Sequence, residues 1–235
     1  MNYQWAAATH RGRVRTNNED SLAPEASGRG AGPAVLMVAD GMGGAVGGEI
    51  ASQLAIEHAF TGSGSPTDRV ARANKAVVER SLSEPSLAGM GTTLTLAEVG
   101  PEGEIRIAHV GDSRAYLLRQ GALEQITHDH TVVAEQLAAG HISPADAATH
   151  PQRSMLTRVL GISPHVEIDS IVIDAVAGDR LLICSDGLTG MVEDVRIEVL
   201  LSRGSPEEAV WALIEEANKA GGHDNITVVV VDVEQ

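Results

Sequence analysis

Four aspartates stand at the borders of apolar runs spread over nearly the whole chain. Val-Leu-Met-Val-Ala-Asp40-Gly41, Ile-Ala-His-Val-Gly-Asp112-Ser113 and Leu-Leu-Ile-Cys-Ser-Asp186-Gly187 each close such a run on an acid. Asp224 instead opens one, Asn-Ile-Thr-Val-Val-Val-Val. If the runs are buried strands of one sandwich or sheet, the four carboxylates can converge on a point. Bare carboxylates resist this, because two unit charges about 4 Å apart repel by roughly 4 kcal/mol at an effective dielectric of about 20. Convergence therefore calls for a cation, and an all-oxygen donor set favours magnesium or manganese over zinc or copper.

Other chemistry-bearing residues read less sharply alone. Asp40-Gly41-Met42-Gly43-Gly44, with Gly47-Gly48 following, has neither the P-loop pattern nor the dinucleotide fingerprint in frame. It reads as a metal-binding acid whose glycines let backbone approach the ion, or as an ordinary glycine-rich turn. Arg15-Thr-Asn-Asn-Glu19-Asp20 reads as a phosphate clamp beside two acids that reach metal through water, or as a solvated polar loop. Arg11, Arg13 and Arg15 alternate, which in a strand puts them on one face. His109, inside an apolar run, reads as a satisfied core histidine. His128-Asp129-His130 lacks helical i, i+4 spacing and reads as a polar loop rather than a metal pair. Cys184 reads as core; a cysteine phosphatase needs arginine six residues on, where this chain has Gly190.

The elements that would position these residues are legible. Strands are predicted at 3–9, 34–39, 92–99, 105–110, 114–119, 167–173, 180–185 and 226–233, with a hairpin turn at Gly100–Gly103. Ser65-Pro-Thr-Asp68, Ser143-Pro-Ala-Asp146 and Ser205-Pro-Glu-Glu208 share a hydroxyl N-cap, a proline at the first helical position and an acid at the third. The last continues as Val210, Leu213, Ile214 and Ala217 and stops at Gly221-Gly222. A further helix is predicted over 48–60, and a helical insertion near 131–160. This order is no regular βαβ alternation, so helices outside a mostly antiparallel sandwich are expected.

Composition sets the remaining bounds. A chain of 235 residues without repeats, low-complexity tracts or long linkers is expected to form one domain over 1–235. Aromatics are 2 % of the chain, so Val, Leu, Ile and Ala must fill the core. The net charge of −15 disfavours nucleic acid and anionic membrane as partners. It leaves room for an anionic substrate, since bound ions and local arginines set the sign at a site. The single cysteine permits no internal disulfide, as expected of a cytoplasmic protein. No signal peptide and no membrane-spanning stretch is evident, and the chain is also compatible with the cytosolic part of a longer, anchored protein.

Taken in order, Arg15-x-x-x-Glu19-Asp20, Asp40-Gly41-Met42-Gly43-Gly44, Gly91-Thr92-Thr93, His109-Val-Gly111-Asp112-Ser113-Arg114, Cys184-Ser-Asp186-Gly187-Leu188 and Gly222-His-Asp224-Asn225-Ile226-Thr227 resemble the metal-dependent type 2C (PPM) serine/threonine protein phosphatases. The resemblance is to the bacterial catalytic domain and runs from Arg15 to Val233. It implies an α+β fold, a β-sandwich of two antiparallel sheets with helices on both outer faces. It implies two Mn2+ or Mg2+ ions bridged by Asp40, with the Gly41 carbonyl on one and Asp186 and Asp224 on the other. Glu19 and Asp20 would act mainly through water, and Arg15 would bind the substrate phosphate. Asp112, with Asp186, would hold a third ion to which Ser154 would contribute, and 131–160 would be a mobile flap. Met42 stands where many eukaryotic members carry a histidine proposed as general acid, so the leaving-group proton needs another source.

The implied activity is hydrolysis of phosphoserine and phosphothreonine on proteins, substrates of a serine/threonine kinase, by direct attack of a metal-bound water. Magnitudes favour this assignment. Enzymatic phosphate-monoester hydrolysis demands accelerations of up to about 10²¹, of which general acid–base catalysis supplies only about 10²–10⁴. A phosphatase dedicated to one regulatory protein is a narrower form of this reading. The alternative of another class is a catalytically silent metal-binding interaction module.

Overall fold

Period-two alternation with both faces apolar is what a strand needs when it lies between a second sheet and a helix layer, and the last strand shows it most plainly. In the computed structural model, which describes residues 1–44 and 46–235, Ile226, Val228 and Val230 pack toward helices. The intervening Val229, Val231 and Val233 face the opposing sheet. A run buried on both faces loses the polar alternation of a surface strand and reads as continuous valine.

The strands are β1 (Asn2–His10), β2 (Asp20–Ala23), β3 (Gly28–Gly30), β4 (Ala34–Met42), β5 (Gly91–Thr92), β6 (Leu94–Val99), β7 (Glu104–Val110), β8 (Arg114–Arg119), β9 (Ala122–Gln125), β10 (Asp169–Asp174), β11 (Arg180–Cys184) and β12 (Ile226–Glu234). The helices are α1 (Gly47–Phe60), α2 (Pro66–Ser83), α3 (Val132–Ala138), α4 (Pro144–Thr149), α5 (Asp186–Thr189), α6 (Asp194–Leu201) and α7 (Pro206–Lys219). One sheet has the order β3-β1-β12-β11-β8-β9; the other runs β10-β7-β6-β4-β2, with β5 paired to β4. Every pairing is antiparallel.

Three apolar layers hold this together. Leu36, Val38, Ile105, Ile107, Leu181, Ile183 and Val229 fill the space between the sheets. Ala51, Ala55, Val70 and Val77 of α1 and α2 cover the outside of one sheet, and Leu213, Ile214 and Ala217 of α7 cover the other. The expected four-layer sandwich is present. The three Ser-Pro starts each form a reciprocal capping box, Ser65 with Asp68, Ser143 with Asp146 and Ser205 with Glu208.

Several local expectations need correction. The predicted strand 92–99 is two strands, because Thr93 leaves the ladder to exchange bonds with Asp40: its N–H donates to the Asp40 carbonyl at 2.9 Å and its Oγ1 accepts from the Asp40 N–H at 2.9 Å. Arg11, Arg13 and Arg15 do not share a strand face, since β1 ends at His10 and the chain turns there. Within 131–160 only α3 and α4 are helical. Short β2, β3, β9 and helices α5 and α6 carry no strong sequence signal and are additional. Ala45 of the glycine-rich loop lies outside the described residues.

Candidate metal centre

Antiparallel pairing gathers the acids at one end of the sandwich. β11 ends beside the start of β12, Cys184 opposite Val228, so Asp186 and Asp224 flank the same edge. In the other sheet β2 begins where β4 ends, and the register sets Asp20 directly opposite Asp40. Like charges opposed across a ladder are unfavourable in themselves. The two sheets are stitched together there by Asp20 Oδ2, which accepts from Ser185 Oγ at 2.8 Å and from Thr227 Oγ1 at 2.6 Å. Asp20 is 7 % exposed, and its other oxygen, Oδ1, is buried with no hydrogen-bond partner among the described residues. It is thus no solvated loop residue, as the isolated segment allowed.

The electrostatics record the crowding. Burial pushes the Asp20 carboxyl up to about 7, against the two hydroxyl donors that lower it. Burial, then Asp20, Asp186, Asp112 and Asp224, hold Asp40 well above the usual carboxylate range. Asp186 is raised by burial and by Asp224, and its side chain is in hydrogen-bond contact with that of Asp40. Asp112, in the turn between β7 and β8, is pushed up to about 7 by burial, Asp186 and Asp129. Among the described residues no three of these side chains already close on a single point. Asp224 is instead turned to Arg15, whose Nη2 donates to Asp224 Oδ2 at 2.7 Å. Oxygen donors of one charge, two in mutual contact and one buried oxygen unpartnered, suit hard divalent cations.

The surrounding backbone is cut to fit. A Cβ on Gly41 would stand 2.1 Å from the Gly48 carbonyl oxygen and 2.6 Å from that of Glu19, so β4 passes α1 only without a side chain. A Cβ on Gly48 would meet Glu19 Oε2 at 2.1 Å, which sets the Glu19 carboxylate over the N-terminal end of α1, where the helix dipole favours a negative charge. The Arg15 turn is pinned by Asn225, whose Nδ2 donates to the carbonyls of Arg11 at 3.0 Å and Asn17 at 2.9 Å while its Oδ1 accepts from the Glu19 N–H at 2.8 Å. Ser154 lines a cavity of about 470 Å³ together with Asp112, Asp186, Arg114 and Arg153.

The residues matching the family model for protein phosphatase 2C span 8–217. The chain belongs to the protein phosphatase 2C family. It is 44 % identical over 239 residues to the serine/threonine protein phosphatase PstP of Mycobacterium tuberculosis, covering 98 % of this chain and 45 % of that protein. The chain thus spans about half the length of that relative. It is 40 % identical to the serine/threonine phosphatase stp of Listeria monocytogenes, covering 95 % of this chain and 93 % of that one. The crystal structure of M. tuberculosis PstP/Ppp superposes with a TM-score of 0.90 at 41 % identity, with all of both chains covered. The PstP catalytic domain solved in complex with two manganese ions superposes at 0.88 and 40 % identity, covering 100 % of this chain and 99 % of that one.

The fold brings Asp20, Asp40, Asp186, Asp224 and Arg15 of this family member together, and sets Glu19, Gly41, Asp112 and Ser154 around them. The supporting residues are less legible in the sequence than the acids they hold. Ser185 and Asn225 each adjoin a predicted ligand in sequence, a usable signal; Thr93 and Thr227 do not, and carry none beyond their place in the Gly91-Thr92-Thr93 and Gly222–Thr227 motifs. Asp129, expected in a polar loop, binds the Arg114 guanidinium with both oxygens, at 2.8 and 2.7 Å. His109 is a satisfied core histidine, bonded to Thr95 Oγ1 at 2.9 Å and the His128 carbonyl at 3.1 Å. Cys184 is fully buried, and its thiol is pushed up to about 12 by that burial. Cys184→Ser is accordingly expected to retain turnover while costing about 1–3 kcal/mol of stability in urea unfolding, from burying a hydroxyl. A folded variant without activity would contradict this.

Proposed function

We propose that this chain is a single Mn2+- or Mg2+-dependent catalytic domain that hydrolyses phosphoserine and phosphothreonine on proteins. The observation that carries the reading is the Arg15 guanidinium held at the rim of a carboxylate cluster too crowded to stay bare. Asp40 would serve both catalytic ions, with Asp186, Asp224 and the Gly41 carbonyl also holding them; Glu19 and Asp20 would act mainly through water. Asp112 and Asp186 would hold a third ion, with Ser154 facing the same cavity. When bound, the ions activate water for in-line attack and stabilise charge on the attacking and leaving oxygens.

The chain's own residues do the rest. Arg15 offers a planar fork that matches phosphate oxygens in a bidentate manner, which lysine does not reproduce. Met42, two residues after Asp40 and 40 % exposed, has no proton to donate to a leaving group. The buried Cys184 takes no part as nucleophile, and no phosphoenzyme is expected because the carboxylates would serve as metal ligands. Segment 131–160 borders the site as a flap: its base is tied by Val132 N–H to the Met155 carbonyl at 2.9 Å and by Leu160, which exchanges backbone bonds with Thr92 at 2.9 and 3.1 Å. Among the described residues no helix is long and apolar enough to cross a membrane. The free thiol of Cys184 fits a reducing compartment such as the cytoplasm, where the proposed substrates would be proteins phosphorylated by a serine/threonine kinase.

The test is a phosphothreonine peptide assay on chelator-treated protein before and after adding manganese. No turnover, restored by the ion, is expected; turnover that survives exhaustive chelation defeats the proposal. Arg15→Ala is expected to lower kcat/KM by about 10²-fold, the scale of one lost charge-stabilising donor, with manganese affinity retained in calorimetry. Collapse of ion binding in that variant would make Arg15 structural.

A further inference from the structure

Asp112 sits in a turn held on one side by Thr93 and Thr95, which bond Ser113, and on the other by His130, which bonds Gly111. Gly111, just before it, has φ +114°, and a Cβ there would lie 2.5 Å from Thr93 Cβ and Cγ2, so the turn is pressed onto the residue that brackets Asp40. Both backbone polar groups of Gly111 are taken by one distant residue. The His130 N–H donates to the Gly111 carbonyl at 2.8 Å, and the Gly111 N–H donates to His130 Nδ1 at 3.1 Å. Because Nδ1 accepts, the neutral ring carries its proton on Nε2. That nitrogen faces Asp169 Oδ2 at 3.2 Å, and Asp169 is in turn held by Arg158 Nη1 at 2.9 Å.

His130 is also the foot of segment 131–160. It is 4 % exposed and lies against the His109 ring, centroids 4.8 Å apart. Its carbonyl accepts from the Thr157 N–H at 2.9 Å, where the segment returns. Its successor Thr131 caps α3, Oγ1 accepting from the Ala134 N–H at 3.1 Å. Burying an imidazole among polar groups is unfavourable unless each is matched. Here its bonds go to the Asp112 turn, to the two ends of the flap and to Asp169 at the start of β10.

We infer that His130 is a positioning residue for Asp112: it fixes the turn bearing that carboxylate and couples the turn to the base of segment 131–160. The inference rests on the reading of Asp112 as a third-ion ligand, and the experiment separates the two. Manganese is titrated calorimetrically into the full chain and into the His130→Asn, His130→Gln, His130→Ala and Asp112→Ala variants. Asparagine keeps an acceptor near the Nδ1 position and so the bond from Gly111; glutamine reaches toward Asp169 and loses it. His130→Ala and His130→Gln are expected to weaken the weakest of three ions about tenfold, with the two tight ions unchanged and His130→Asn close to the parent. Combining His130→Ala with Asp112→Ala should change ion binding no further than Asp112→Ala alone. A parent chain that binds only two ions refutes the Asp112 reading and this inference with it. Three ions at parent affinity in His130→Gln, or equal losses in His130→Asn and His130→Gln, overturn the inference while leaving the Asp112 reading standing.

Discussion

Asparagine in place of Asp40 is expected to reduce phosphopeptide turnover by more than about 10³-fold, the upper range for losing one charge-stabilising group, because one side chain is proposed to serve both ions. Loss of activity alone would not separate a ligand from a structural acid, but the sign of the stability change does. Asp40 is held well above the ordinary carboxylate range by burial and by Asp20, Asp186, Asp112 and Asp224. Removing its charge relieves that repulsion, so the chelated variant should be more stable than the chelated parent at pH 8. The Asp40 N–H bond to Thr93 Oγ1 uses only backbone on its side and survives the change. Near-normal turnover, or a chelated variant less stable than the parent, would remove Asp40 from the proposed bridging role.

The metal-free chain should also lose stability as pH rises, opposite to the usual behaviour of paired carboxylates. Burial raises Asp20 and Asp112 to about 7 and lifts Asp186 as well. In the unfolded chain such groups titrate near 3.9. Between about pH 4 and pH 7 the folded state therefore binds more protons than the unfolded one, and the free energy of unfolding falls with increasing pH. The penalty is complete above the folded pKa values and absent below the unfolded ones. Urea unfolding of chelated protein at pH 5 and pH 8 should show the lower midpoint at pH 8, and saturating manganese should erase most of the difference. A chelated chain more stable at pH 8 than at pH 5 would mean that the acids are not crowded as described.

What was readable in the sequence follows from how local each feature is. The Ser-Pro starts of α2, α4 and α7 are closed within four residues, so their capping boxes could be read from the chain. The valines of β12 announce burial on both faces without naming the neighbour. Glu19 and Asp20 looked like loop residues because their partners lie far off: Asn225 for the Glu19 N–H, Ser185 and Thr227 for the Asp20 carboxylate. The alternation of Arg11, Arg13 and Arg15 misled for the same reason. It is a turn docked on Gly222, whose carbonyl accepts from the Arg13 N–H at 2.7 Å, and period two carries no meaning there. His130 is the least legible of these residues. Its neighbours His128 and Asp129 invite a metal-pair reading, yet its partners Gly111 and Asp169 are 19 and 39 residues away.

The central claim is that the acids at the end of the sandwich are a cation site, and a manganese-soaked crystal of the full chain tests it most directly. Anomalous maps should show two strong peaks shared by Asp40, Asp186 and Asp224, with a weaker third beside Asp112. Arg15 should then be turned away from the Asp224 oxygen it holds at 2.7 Å. Maps without a peak among Asp40, Asp186 and Asp224, from crystals whose protein is active in the same manganese solution, would contradict the account.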